Sequence, residues 1–232
     1  MLFRSGSLFF GLFTLCFNIG LQTVPAGRAG TIVAAMPALT LILAVCARVE
    51  PFNLTKVSGV LVALVGVGIV LSDGRVETIT SGNLASGDLW LLGAALCGAV
   101  YNVGAGPYLA RAGAITVAFW SMLGGVVLLS MISAARVDWP DPSSMTAGAL
   151  AAVVFLGTAS GAIGFTLWIW ALGRAAPTQV AVFFTLNPVS AAALGALTLG
   201  EAVGPVLLVG MVIVLSGIIL TANGSTRRPK TR

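Results

Sequence analysis

Asn18, Gln22, Thr40, Tyr101, Asn102, Trp120, Trp168, Trp170, Gln179, Thr185, Asn187 and Ser190 are polar or aromatic side chains set within otherwise apolar stretches of this 232-residue sequence. Amides both donate and accept hydrogen bonds, and aromatic rings offer apolar walls or a face for a cation. The set therefore suits recognition of a zwitterionic or amphipathic small molecule. It does not suit bond breaking. The chain has no His, which removes Ser–His and Cys–His catalysis, HExxH zinc sites and most histidine proton relays. No acid, base or nucleophile lies deep within an apolar stretch, so no catalytic residue is assigned. Cys16, Cys46 and Cys97 stand singly in apolar runs and read as small packing residues rather than metal ligands or a disulfide. No metal or cofactor is expected, and nothing resembles a Walker P-loop for ATP.

The elements that must position these residues follow from charge spacing. The chain is 58% hydrophobic with 12 basic and 7 acidic residues and a mean hydropathy of +1.04, too few charges to clothe a water-facing surface. A charge at mid-membrane costs about 2.5–3.5 kcal/mol on the insertion scale, so spans appear as charge-free windows. Eight windows exceed 15 residues, namely 5–27, 29–47, 57–72, 89–110, 112–135, 142–173, 175–200 and 202–226. Each holds one crossing. They predict helices over 6–22, 28–47, 54–72, 88–109, 114–134, 146–171, 178–199 and 203–222, with polar loops at 73–87 and 135–145. Arg4 ahead of the first window imitates a signal peptide, but Asn18, Gln22 and the direct continuation into another span favour a crossing.

Eight crossings place both termini on one side. Arg4, Arg48, Lys56, Arg111, Arg174 and the tail Arg227, Arg228, Lys230 and Arg232 fall there, against Arg28, Arg75 and Arg136 on the other. The positive-inside rule makes that side cytoplasmic. The net charge of +5 is accordingly an anchoring charge. No basic stripe suggests nucleic acid.

Sliding the chain over itself by 151 residues superposes Pro37 on Pro188, Glu50 on Glu201, Gly59 on Gly210, Gly66 on Gly217 and Leu21 on Leu172. Five helix steps separate the copies, so the second must cross in the opposite direction, the arrangement that lets two halves open alternately. Pro37 and Pro188 are expected near mid-helix, where each ring frees the carbonyl four residues earlier, at Val33 and Phe184. Such broken backbone is tolerated in lipid where it meets neighbouring helices or a wet cavity. Glu50 and Glu201 are expected in tight turns, each facing the positive end of the following helix. Gly59, Ala63 and Gly66, and separately Gly157 and Gly161, make small-residue faces for close helix contact.

The solute-binding candidates are Asn18, Gln22, Pro37, Tyr101, Asn102, Trp168, Asn187 and Pro188, residues far from window ends or beside a helix-breaking proline. Interhelical bonding is the alternative role for each. Trp90, Tyr108 and Trp139 read as interfacial belt residues.

Four pieces carry a resemblance: FNIGLQTVPAGRAGTIVAAMPALTLILA, VEPFNLTKVSGVLVALVGVGIVL, GDLWLLGAALCGAVYNV, and LWIWALGRAAPTQVAVFFTLNPVSAAALGALTLGEAVGP. In these the chain resembles the EamA-type transporters of the drug/metabolite transporter superfamily. The resemblance implies ten helices as two inverted five-helix repeats, and export or exchange of amino acids, sugars, nucleotide derivatives or amphipathic drugs. This chain matches from the third helix onward. The expected fold is thus an all-α integral membrane protein, an eight-helix bundle of two inverted repeats with the first truncated. The repeats are 1–73 and 87–222, joined by a linker at 74–86 and followed by a basic cytoplasmic tail at 223–232. The second-half Asn found in many members within a WN pair is replaced by Ile169 after Trp168, which breaks the polar symmetry of the cavity. The expected partners are a small-molecule solute and the bilayer of the cell membrane. The rival readings are an assembly subunit needing a partner chain or a homodimer, and a transport-incompetent fragment.

Overall fold

The computed structural model describes residues 7–24, 26–72, 86–135, 146–187, 189–190 and 205–224, and every regular element among them is helical. A π-helical stretch, Ser7–Phe13, leads into α1 (Thr14–Leu21). Then come α2 (Ala26–Val33), α3 (Met36–Cys46), α4 (Leu54–Ser72), α5 (Ser86–Gly104) and α6 (Gly106–Ala134). Next is α7 (Ala147–Phe155), continued by π-helical Leu156–Gly164 into α8 (Phe165–Leu172). Last are α9 (Pro177–Ala181), extended by the 3-10 turn Val182–Thr185, and α10 (Pro205–Asn223).

The expected helix over 28–47 is two helices. The turn at Ala34 and Ala35 separates α2 from α3, and Pro37 sits in the first turn of α3 rather than mid-helix. A proline has no N–H to give and its ring collides with a preceding helical carbonyl, whereas the first turn needs neither. Ala35 N–H bonds back three residues to Ile32 O at 3.1 Å, and regular four-residue spacing resumes at Leu39 N–H to Ala35 O, 3.0 Å. The second proline-bearing segment is irregular at the corresponding place. Its α-helix gives way at Val182–Thr185 to 3-10 geometry, and the Thr185 hydroxyl donates to Val182 O at 2.7 Å. Pro188 itself, with Glu201, lies outside the described residues.

The boundary expected near 110 lies at Ala105, because Pro107 starts α6 in its first turn. Gly113 then interrupts α6 with φ 75° and ψ 165°, a left-handed φ that glycine tolerates and side-chain-bearing residues avoid.

Two compact bodies emerge. One comprises Gly104–Arg174 with the described residues 7–12, and the other runs from Phe13 to Val103 and resumes at Ala175. In the smaller body Gly11 and Gly125 admit neighbours. A Cβ on Gly125 would lie 3.0 Å from the Phe10 carbonyl carbon, and the Phe10 and Phe165 rings meet edge to face at 4.6 Å.

In the larger body α4 and α10 pack most closely. A Cβ on Gly59 would meet the Gly217 carbonyl oxygen at 2.9 Å, and one on Gly66 would meet the Gly210 carbonyl oxygen at 3.0 Å. Contacts that ascend α4 descend α10, so the pair is antiparallel. Small residues allow such backbone approach where lipid removes the usual hydrophobic drive. Around the pair, Ala34, Ala63, Val67, Val182, Val214 and Ile218 form a core. A second core gathers Val33, Met36, Leu91, Ala95 and Ala99.

The distribution of polarity is inverted relative to a protein in water. Leu89, Leu92, Leu96 and Val100 of α5 are exposed, while Thr40, Asn102, Ser121, Thr185 and Thr221 are at most 1% exposed. This is what a hydrocarbon solvent selects. Gly106–Ala134 and Ala147–Leu172 are each long and apolar enough to cross a bilayer, with mean hydropathies of 2.1 and 1.9.

Candidate functional site

Within the larger body, α3 and α5 bring sequence-predicted residues together. Asn102 donates through Nδ2 to Thr40 Oγ1 at 3.4 Å and approaches Met36 Sδ at 3.9 Å. Pro37 flanks Met36 and is buried, and Tyr101 is 3% exposed. Helix geometry explains the grouping. Met36 and Thr40 are four residues apart and share a face of α3, and Gly98, one turn before Asn102, admits the Met36 side chain. These are long bonds.

The other candidates are placed differently. Asn18 is exposed and donates to Thr14 O of its own helix at 2.8 Å; Gln22 is exposed at the end of α1. Trp168 is half-buried in α8 of the smaller body, and Asn187 is exposed. Pro188 falls outside the described residues. Asn18→Ala is expected to change stability by no more than about 0.5 kcal/mol, as for a surface substitution, in thermal unfolding in lipid nanodiscs.

Sequence reasoning missed a buried ionic cluster in the larger body. Glu50 and Lys56, 5% and 1% exposed, pair at 2.6 Å between Oε2 and Nζ. Glu50 Oε1 also accepts the backbone N–H of Thr178 in the first turn of α9 at 2.8 Å. The carboxylate was expected to face the helix that follows it. Asn53 holds that position instead, its Oδ1 accepting the Thr55 N–H at 2.8 Å, while its Nδ2 donates to Gly224 O at 2.8 Å. Glu50, three residues further back, is left to reach α9. The turn that carries it folds onto α3, with the Val49 and Glu50 N–H groups sharing Ala44 O, and Arg48 adopts φ 56°. Gln179 extends the array by donating to Ala222 O at 2.9 Å. The six-residue interval from Glu50 to Lys56 gave no helical pairing signal, since a loop intervenes.

The smaller body holds a cleft of about 670 Å³ beside the Gly113 break. Arg174 lies 4.0 Å over the Trp170 ring, a cation–π contact between i and i+4 neighbours, and both border the cleft. Among the described residues no group of three or more His, Cys, Asp or Glu could hold a metal.

Comparison with known proteins agrees with this architecture. Residues 1–72 and 85–223 match the model of the EamA-like transporter family. The chain is 26% identical over 218 residues to "Uncharacterized transporter YyaM" of Bacillus subtilis, covering 94% of this chain and 71% of that one. It is 28% identical to a "Probable terminal-alkyne amino-acid exporter" of Streptantibioticus cattleyicolor, over 95% of this chain and 72% of the relative. It is 25% identical to a "Probable amino-acid metabolite efflux pump" of Salmonella typhimurium, over 96% and 76%. One crystal structure superposes with a TM-score of 0.75 at 21% identity, covering 95% of this chain and 75% of the other, a likeness of fold. Because the family match takes in both glycine-paired helices and both proline-bearing segments, the chain belongs to the EamA-like transporter family and is a membrane protein.

Proposed function

We propose that the chain is a secondary transporter that exports or exchanges small zwitterionic or amphipathic organic solutes by alternating access of two inverted repeats, 1–73 and 87–222. The observation that carries this reading is the α4–α10 pair. The 151-residue offset found in the sequence takes Leu54–Ser72 onto Pro205–Asn223 end to end. Gly59 meets Gly217 while its counterpart Gly210 meets Gly66. Reciprocal contact of this kind is what an approximate two-fold axis between the helices produces, and such an axis in the membrane plane relates inverted repeats. The irregular backbone ahead of Pro37 and Pro188 supports a path near these segments.

The Asn102 and Thr40 pair fits the polar end of a solute. The relatives named as an amino-acid exporter and an amino-acid metabolite efflux pump favour an amino-acid-like solute moved outward. Both ends of the sequence are assigned to the cytoplasm.

Counterflow in proteoliposomes over amino acids, sugars, nucleosides and cationic drugs tests the reading. Uptake of at least one of these is expected; a folded protein that moves none would overturn it. Asn102→Ala is expected to weaken affinity for the transported solute about tenfold, the effect of losing one buried hydrogen bond, and unchanged affinity would remove the pair from the site.

A second reading is favoured by α7, which buries no residue among those described. In it the chain works as an assembly subunit, covered there by a partner chain or by its own copy. Transport restored only on co-reconstitution, or an oligomer required for flux, would select it.

A further inference from the structure

Resting on the alternating-access reading above, we propose that the Glu50, Lys56 and Asn53 cluster is a one-sided latch that holds the Glu50 end of the larger body closed and must open for passage there. Three observations carry it. The Glu50 carboxylate ties the turn after α3 to the backbone of α9, a segment from the other half of the sequence, while Lys56 neutralises it at 2.6 Å. Asn53 makes a second bond between the halves, to Gly224 at the end of α10. Both charged groups are almost fully buried, so the bonds form away from competing water and are strong.

The third observation is that the duplication does not repeat two of the residues that build the device. Shifted by 151 residues, Glu50 finds Glu201, but Asn53 finds Gly204 and Lys56 finds Leu207. The aligned positions of the second copy therefore carry neither a lysine nor an asparagine. Two halves that otherwise exchange roles are fastened at the Glu50 end by side chains that the aligned positions of the second copy do not repeat, which biases the resting population toward closure at the Glu50 end. A pair kept for packing alone would not need its cross-half bonds to break during function.

The test places a reporter thiol at Ala181→Cys, buried one turn beyond Thr178, in a chain whose three native cysteines are replaced. It measures labelling by a membrane-impermeant methanethiosulfonate from each face of oriented proteoliposomes. With Glu50 and Lys56 intact, labelling from the Glu50 face is slow. In the volume-preserving Glu50→Gln, Lys56→Met double variant it is expected to rise about tenfold from that face, the shift that follows loss of one charge-assisted hydrogen bond, without rising from the other. Unchanged labelling in a folded variant, or an equal rise from both faces, overturns the latch. If the variant does not fold, hydrogen exchange of the Thr178 amide in the unmodified chain decides. Exchange through an opening well below global unfolding supports the latch, and exchange only with global unfolding overturns it. Counterflow in the same vesicles separates the two readings. Intact counterflow with unchanged labelling sinks the latch alone, whereas one-sided labelling without counterflow of any solute keeps the latch and sinks transport.

Discussion

Lys56→Ala is expected to cost about 3–5 kcal/mol of stability, the range for removing one partner of a buried ion pair. The cost arises on the carboxylate that remains. Glu50 is 5% exposed, and with the ammonium gone its charge would be held by the Thr178 N–H alone among the bonds described for it. The double variant Glu50→Gln, Lys56→Met is expected to lose far less, because matched removal of both charges leaves no uncompensated ion and similar volume. Thermal unfolding in lipid nanodiscs checks both. Equal losses for the single and double variants would mean that packing of the long side chains, not charge pairing, is what the cluster supplies.

The second large effect is expected at Gly217→Val. A Cβ there would lie 2.7 Å from the Gly59 carbonyl oxygen and 2.8 Å from the Ala63 Cα, and these are backbone atoms that cannot swing aside. Overpacking commonly costs about 1–3 kcal/mol and more where the backbone must move, so the α4–α10 pair is expected to separate and the chain to misfold or melt well below the unmodified protein. Gly68 on the same α4 helix has nothing within 4 Å of an added Cβ. Gly68→Ala is therefore expected to be neutral or to stabilise by up to about 1 kcal/mol through reduced backbone freedom. Circular dichroism melting of the two variants side by side distinguishes a specific interface from a general intolerance of side chains on α4.

Much of this fold was legible because the bilayer imposes simple costs. Charge-free windows located the helices, and α4 runs over the expected 54–72 because Asn53 and Pro51 stop it at one end, with Asp73 just beyond the other. Boundaries failed where proline does two opposite things. Pro37 was read as an interruption within a helix and Pro107 lay inside the expected helix 88–109, yet each opens one, and the hydropathy of the flanking residues is the same either way. The pairing of Asn102 with the Pro37 region was anticipated only as membership of one polar set. Its geometry depends on Gly98 giving room to Met36, a contact across 62 residues that no local pattern encodes. Asn18, equally deep in its window, turns back onto Thr14 of its own helix. The sequence cannot distinguish an amide that faces a neighbour from one that caps its own backbone. Glu50 reaches Thr178 across 128 residues, and only the fold reveals that the second half supplies the helix end it touches.

The outward-facing Leu89, Leu92, Leu96 and Val100 of α5, set against an interior that holds Thr40 and Asn102, also decide how this molecule can be taken apart. Urea acts by solvating surface newly offered to water, and helices already immersed in oil have little such surface to offer. A charged surfactant, by contrast, competes for the helix flanks themselves. For this chain, resistance to a chaotrope would therefore say almost nothing about how firmly its helices hold one another.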